Sequence, residues 1–568
     1  NGGTVSSAFL TFVATNAGSS GVLTVEGQGS SYTNNGSMMV VGNNGTGQLN
    51  VLDGGAVSTT APTLQIGGGN TGTALVSGAG SNLSAATFLG VGVNAGSVGR
   101  LTITAGGLAT SGSGTYLALN SGSGGTISVS NGGSLTSPLL VVGSAGTGDL
   151  QVQSNGTVTI SGTTIVGSNA GTSSVEVSGA GAALTVQNSN LIVGAQGNGV
   201  MTISDQGIVT ATGSGGTSIA GQCLGLASFF CTTPGQGGAG AITVTDPGSA
   251  LDAGATLAIG QFGAGTLTIA NGAQVFADAV SIAQNAGSTG TLDIGAAAGA
   301  APAAPGTLDA PALAFGAGAG DIVFNHTDTS GHYVFAPAIS GAGAVDAYSG
   351  ETVMSGLSDY FGPTTIHGGI LSAGAASVFS PNSDYAVQTD GTLDLNGFNQ
   401  TVASVSNAGF VNMGTGTPPG TLLTTTSYVG QGGTLGLNTF LGTDGSSSDR
   451  LVINSGTATG STGMIITNVG GPGALTTGNG ILVVEDVTGH STAPGAFHLE
   501  APAVAGPYEY TLFRGGLTAG AEEDWFLRSE LELPQPPPPA PPPPDYREEV
   551  SLDTAILPVA AIYGRDII

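Results

Sequence analysis

Short strings of the form G-x-[LIM]-x-[VI] recur along the first half of this 568-residue chain at nearly constant spacing. That regularity narrows the available folds more than any other feature. They read GVLTV from Gly21, GQLNV from Gly47, GRLTI from Gly99, GTISV from Gly125 and GDLQV from Gly148. The series continues as GVMTI from Gly199, GAITV from Gly240, GTLTI from Gly265 and GTLDI from Gly290, with looser copies at Gly72 and Ser174. The period is about 25 residues. Each copy alternates apolar and polar side chains, the pattern of a half-buried strand.

A second short strand follows each copy and ends on glycine, as in Val40-Val41-Gly42, Val141-Val142-Gly143 and Ile192-Val193-Gly194. Turn signals lie between, such as Asp53-Gly54-Gly55 and Asn131-Gly132-Gly133. Gly and Asn reach positive φ at little cost, as sharp corners require. A propeller blade needs four strands in 40 or more residues, and ankyrin or tetratricopeptide repeats need helical periodicity. Neither fits. The expected fold is an all-β, right-handed parallel β-helix with three short strands per turn, each coil stacked on the next at about 4.8 Å. From about Gly306 the strict period fades, and aromatic residues and Asp become commoner.

Charge removes several function classes. Against 34 acidic residues stand six basic ones, all Arg, for a net charge of −28. Nucleic-acid phosphates and anionic lipid surfaces both require clustered cations, so neither is an expected partner. Hydrophobic residues make up 40% of the chain, enough for a large core, and no run of 18 apolar residues reads as a membrane helix. The chain opens at Asn1 without a signal-peptide pattern and reads as a mature or excised fragment.

Nucleophile and metal signatures were sought in turn. No Ser has Gly at both −2 and +2, so the G-x-S-x-G elbow is absent. His326, His332, His367, His490 and His498 show no H-E-x-x-H spacing, and His326 and His332 near Asp321 and Asp328 read as surface-loop residues. Gly67 to Gly72 satisfies G-x-G-x-x-G, but with 103 glycines in the chain and no helix following, it does not indicate a nucleotide site. No catalytic, metal or cofactor residues are assigned, and no cofactor is expected.

Two segments, FGPTTIHGGIL from Phe361 and GTLDLNGFNQTV from Gly391, are similar to the strand repeat of bacterial autotransporter passengers. The first 300 residues resemble a repeat shared by exported bacterial proteins. From Gly433 to Ser529, the strings GGTLGLNTFLG, SDRLVINSGTATG, YEYTLFRGG and DWFLRS look like the C-terminal part of pertactin-like passengers. Pro534 to Pro544 is a polyproline II stretch, after which YREEVS from Tyr546 resembles the lead-in to the family's outer-membrane barrel. The resemblance divides the chain into a repeat β-helix (1–300), a β-helix with autotransporter-associated strands (301–432), a C-terminal cap or autochaperone region (433–529), a Pro-rich linker (530–545) and a linker helix leading to the barrel (546–568).

It implies further a type V secreted, surface-exposed passenger whose C-terminal turns fold first and template the rest. A solenoid needs such a seed and cap, because an open end exposes unpaired backbone and apolar core. Tyr510, Phe513, Trp525 and Phe526 are the candidate cap residues. Cys223 and Cys231 fall in the one long gap of the repeat, Gly199 to Gly240, where about 16 extra residues leave the coil. In an exported protein these two are expected to close a disulfide. Between them Leu224, Leu226, Phe229 and Phe230 either fold back on the solenoid or form a partner-contact loop.

The functional expectation is a non-enzymatic adhesin at the bacterial cell surface or outer membrane. Its partners would be a host-cell or matrix protein or glycan, neighbouring passengers, and its own outer-membrane barrel. Two alternatives stand beside it: a β-helix enzyme of polysaccharide lyase or hydrolase type with a groove active site, and a self-associating protein. The lyase alternative lacks cations for an acidic polysaccharide, since only Arg100 precedes residue 450.

Overall fold

A computed structural model describes residues 2–60, 63–169, 171–213, 215–221, 237–487 and 491–529. Over these the chain is an all-β parallel solenoid with about 26 residues per turn and no helix. It divides into two compact units, residues 1–327 with 336–343, and residues 328–335 with 344–568.

Three strands build each turn of the first unit, as the period requires. One face runs from Thr4–Ser7 to Thr307–Asp309 and a second from Thr11–Val13 to Ala338–Ser340, with 12 and 13 strands. A third begins at Ser20–Glu26 and reaches Ala319–Asn325. The pairings between successive strands of each face are parallel and in register: Leu49 lies opposite Ala74, Leu101 opposite Ile127, and Ile127 opposite Leu150. All are buried, so equivalent residues of successive coils form continuous apolar columns. Each such Leu, Val or Ile contributes about 1.5–3 kcal/mol by leaving water.

The paired glycines of the repeat have a steric explanation. Gly92 sits at a corner with φ of 70°, and Gly99 begins the next strand facing inward against it. A Cβ on Gly99 would lie 2.2 Å from the backbone nitrogen of Gly92 and 2.2 Å from the carbonyl oxygen of Ile66. The same collision recurs at Gly72, Gly148 and Gly265. The motif glycine is therefore needed for close backbone approach as well as for turning.

In the second unit the strands lengthen, to Thr364–Ala373, Asp384–Asp394, Leu422–Thr439 and Thr457–Asn468. Register shifts between Ile366 and Gly368, and between Gln431 and Thr434, mark where one long strand bends between faces. Aliphatic columns continue, as in Leu371, Leu393, Val411 and Leu435, but buried rings and hydroxyls now stand among them. The Tyr360 hydroxyl is 2.5 Å from Thr364 Oγ1, which is 2.8 Å from Ser383 Oγ, and Tyr360 and Tyr385 are both buried. Burial raises the pKa of the Tyr360 hydroxyl and pushes that of Tyr385 well above its ordinary value. They are neutral hydrogen-bonding groups here, not titrating ones.

Candidate functional site

The most differentiated region is the end of the second unit, where parallel stacking stops. Ile481–Asp486 pairs antiparallel with Trp525–Arg528, and that strand pairs antiparallel with Tyr508–Arg514, which pairs in turn with Ala503–Ala505. An antiparallel hairpin satisfies the backbone of the preceding coil without presenting another parallel rung.

Aromatic side chains fix this hairpin. Trp525 is 4% exposed, its ring meets Phe497 edge-on at 5.3 Å, and its Nε1 donates to Thr492 Oγ1 at 2.9 Å. Phe497 in turn lies 5.8 Å from Tyr428. The Tyr510 hydroxyl donates to the carbonyl of Gly442 at 2.8 Å and accepts the N–H of Ala474 at 2.9 Å, joining its strand to two separate loops. Phe513 and Phe526 are cross-strand partners, and the Arg528 guanidinium lies 5.2 Å and 5.9 Å from their ring centres. Arg514 bonds Glu523 and also donates to the Thr492 carbonyl. Asp524 accepts the N–H of Asp486, yet burial, with Glu485, Asp486 and Glu522 nearby, holds its pKa above the usual carboxylate value. All four candidate cap residues thus converge on one hairpin. Tyr510, Trp525 and Phe526 are buried, and Phe513 is half-buried.

The remaining sequence candidates disperse. Cys223, Cys231 and the apolar stretch from Leu224 to Phe230 lie outside the described residues, as do the Pro-rich linker, the linker helix and His490. His326, expected on a surface loop, is fully buried in the first unit. His332 keeps its surface position, with Nδ1 at 2.9 Å from Ser330 Oγ, which bonds Asp328. Among the described residues no three His, Cys, Asp or Glu side chains gather as metal ligands would.

Sequence reasoning missed a feature of the first face. Its third strand position points outward, and in-register pairing stacks Ser or Thr there on nine successive coils, beginning Ser6, Thr33, Ser58 and ending Thr210. Some hydroxyls bond along the column, Thr110 Oγ1 to Ser84 Oγ at 3.1 Å for example. The signal was present: Ser58, Ser84, Thr110 and Thr136 recur at the repeat period, two positions after each turn. Beyond Thr210 the column changes to Asp252, Phe276 and Asp309.

Comparison with known proteins agrees with this architecture. Residues 383–512 match the family model "Autochaperone Domain Type 1", which begins upstream of the expected cap region and stops before Trp525. A stretch of 287 residues, 49% of the chain, is 34% identical to the "Adhesin BmaC autotransporter" of Brucella suis biovar 1 (strain 1330). The chain spans only 8% of that protein's length. Among solved structures, the TibC-catalyzed hyper-glycosylated TibA fragment is matched over 86% of this chain and 99% of that one, at 14% identity and a TM-score of 0.30. That likeness is too distant to carry residue roles across.

The β-solenoid, the autochaperone match and the adhesin relative together match an autotransporter passenger domain. More particularly, residues 383–512 match an autochaperone domain, which with the adhesin relative indicates a place at the bacterial cell surface or outer membrane.

Proposed function

We propose that this chain is an adhesive passenger that attaches the bacterium to a host-cell or matrix protein or glycan, or to neighbouring passengers, and catalyses no reaction. The observation that carries this reading is the 34% identity, across 49% of the chain, to a protein described as an adhesin. The faces support it. A column of nine short hydroxyls is suited to many weak, distributed contacts along a surface, where catalysis needs a few groups held at one point. The terminal hairpin serves as cap and folding seed for the coils before it, a role favoured by the overlap of its neighbouring strands with the autochaperone match.

Attachment is measured directly with beads coated with the full chain, on epithelial cells and on immobilised matrix proteins. Saturable attachment competed by soluble chain is the expected result. Beads that attach no better than albumin-coated controls to every surface would overturn it.

A further inference from the structure

Three features stand out beyond the cap. The hydroxyl column is a stripe of small residues with nothing to specify a ligand. In the second unit, His367 Nε2 lies 2.8 Å from Asp346 Oδ1 with its ring stacked 4.2 Å from Tyr348, a pair that fills its own valences on one strand face. The third is a groove where the hydroxyl column of the first face ends.

This groove is open and holds about 670 Å³, at the corner between the first and second faces. Asp252, Phe276 and Asp309 are direct partners on three successive coils, so they project from one outward column. Phe276, 36% exposed, has a carboxylate one coil before it and another one coil after it. Asp278 and Pro311 complete the wall. Asp252 Oδ1 accepts the N–H of Gly254 at 3.1 Å, which fixes how this carboxylate lies in the corner. The only Lys or Arg in the sequence of this unit is Arg100, on a third-face strand at Val98–Thr104. Three carboxylates therefore surround an exposed ring with no basic side chain of their own face to neutralise them.

We propose that this groove binds a cationic side chain, arginine or lysine, presented by a segment of a partner protein. Two coils separate Asp252 from Asp309, about 9.6 Å at the spacing of stacked strands. The Phe276 ring stands between the two, and among the described residues no group of three metal-ligand side chains gathers here. That separation is the span over which a planar guanidinium lies on the ring face while its N–H groups reach carboxylates on either side. A neutral sugar would also stack on Phe276, but it leaves the charge of the three carboxylates uncompensated. The inference adds a partner chemistry to the adhesive reading without depending on it, since the groove can bind peptide whether or not the chain attaches to cells.

The test is calorimetric titration of the full chain with a hexa-arginine peptide at about 0.15 M salt, where unpaired surface charge is largely screened. Asp252→Asn combined with Asp309→Asn is expected to weaken binding about tenfold, and Phe276→Ala about threefold with no change of charge. Asp149→Asn with Glu176→Gln removes the same charge from the third face and is expected to leave affinity unchanged. Circular dichroism of each variant confirms folding. Equal weakening by both charge pairs would reduce the effect to net acidity and overturn the proposal. So would retention of affinity in Phe276→Ala and the Asp252/Asp309 pair, or tighter binding of maltohexaose than of the peptide.

Discussion

The two units solve the same packing problem with different chemistry. In the first, Leu, Val and Ile repeat in columns, and Leu101, Ile127 and Leu150 are interchangeable neighbours. In the second, Tyr360, Tyr385, Tyr428 and Tyr510 are buried with specific hydroxyl partners, and no one of them substitutes for another. Aliphatic columns reward any in-register stacking, so a slip by one whole coil costs little. A ring whose hydroxyl must reach Gly442 and Ala474 tolerates one arrangement only. Repetition supplies propagation and irregularity supplies a starting point. In the proposed role of cap and seed, that division is what an irregular C-terminal region adds to a monotonous repeat.

The sharpest way to break the comparison is Trp525→Ala. Removing a buried indole that packs on Phe497 and bonds Thr492 costs about 3–5 kcal/mol, the usual range for large-to-small changes at buried aromatics. If the hairpin seeds folding, refolding of the whole chain from guanidinium, followed by far-ultraviolet circular dichroism, slows or loses yield. Leu150→Ala in the first unit is the comparator, with an expected cost of about 2–5 kcal/mol confined to nearby coils. Equal effects of the two substitutions on refolding yield would remove the distinction between seed and repeat.

A smaller effect tests the repeat itself. Gly99→Ala places a methyl 2.2 Å from the Gly92 nitrogen, so the corner must open. The expected cost is about 1–3 kcal/mol, with faster amide exchange in the strands flanking Val98–Thr104 and none in distant coils. Loss of protection throughout the first unit would show that its coils unfold as one body, not as neighbours in a chain.

How far each unit was legible follows from the same contrast. The alternation in GRLTI and GDLQV, with glycine at fixed intervals, specified strands, period and core columns, because a repeat states its rule many times. Face assignments at Ser58 or Thr110 were equally available, but a hydroxyl on a strand is so ordinary that only its stacking reveals a column. In the second unit the aromatic residues were visible as cap candidates, yet the antiparallel reversal at Trp525–Arg528 was not. One partner, Ile481–Asp486, lies some 40 residues upstream, a contact that no local pattern encodes. His326 illustrates the opposite failure: polar by sequence and expected outside, it is enclosed by its own unit. The Phe276 groove was invisible for a related reason, since Asp252, Phe276 and Asp309 are far apart along the chain and become neighbours only through register.

The mildest effect concerns pH. Asp444 is the second unit's loop clamp: one carboxylate accepts the N–H groups of Thr477, Gly478 and Gly480. Partial burial works to raise its pKa, but those donors outweigh it, and the carboxyl is held below its usual range. A depressed folded-state pKa means that the ionised clamp stabilises the fold above the ordinary carboxylate range, and that this contribution disappears as pH falls through the depressed value. The Asp444→Asn variant keeps one acceptor and loses the charge. It should therefore melt below the parent at pH 7, by a few degrees at most, and the gap should close on acidification toward pH 2. The first unit has no carboxylate clamp of this kind among its described residues, and the Asp293 carboxyl there has its pKa raised by burial and so favours the fold at low pH. A melting gap that widens with acid would reverse the sign of the Asp444 contribution and show that the loop is held by its backbone path instead of by charge.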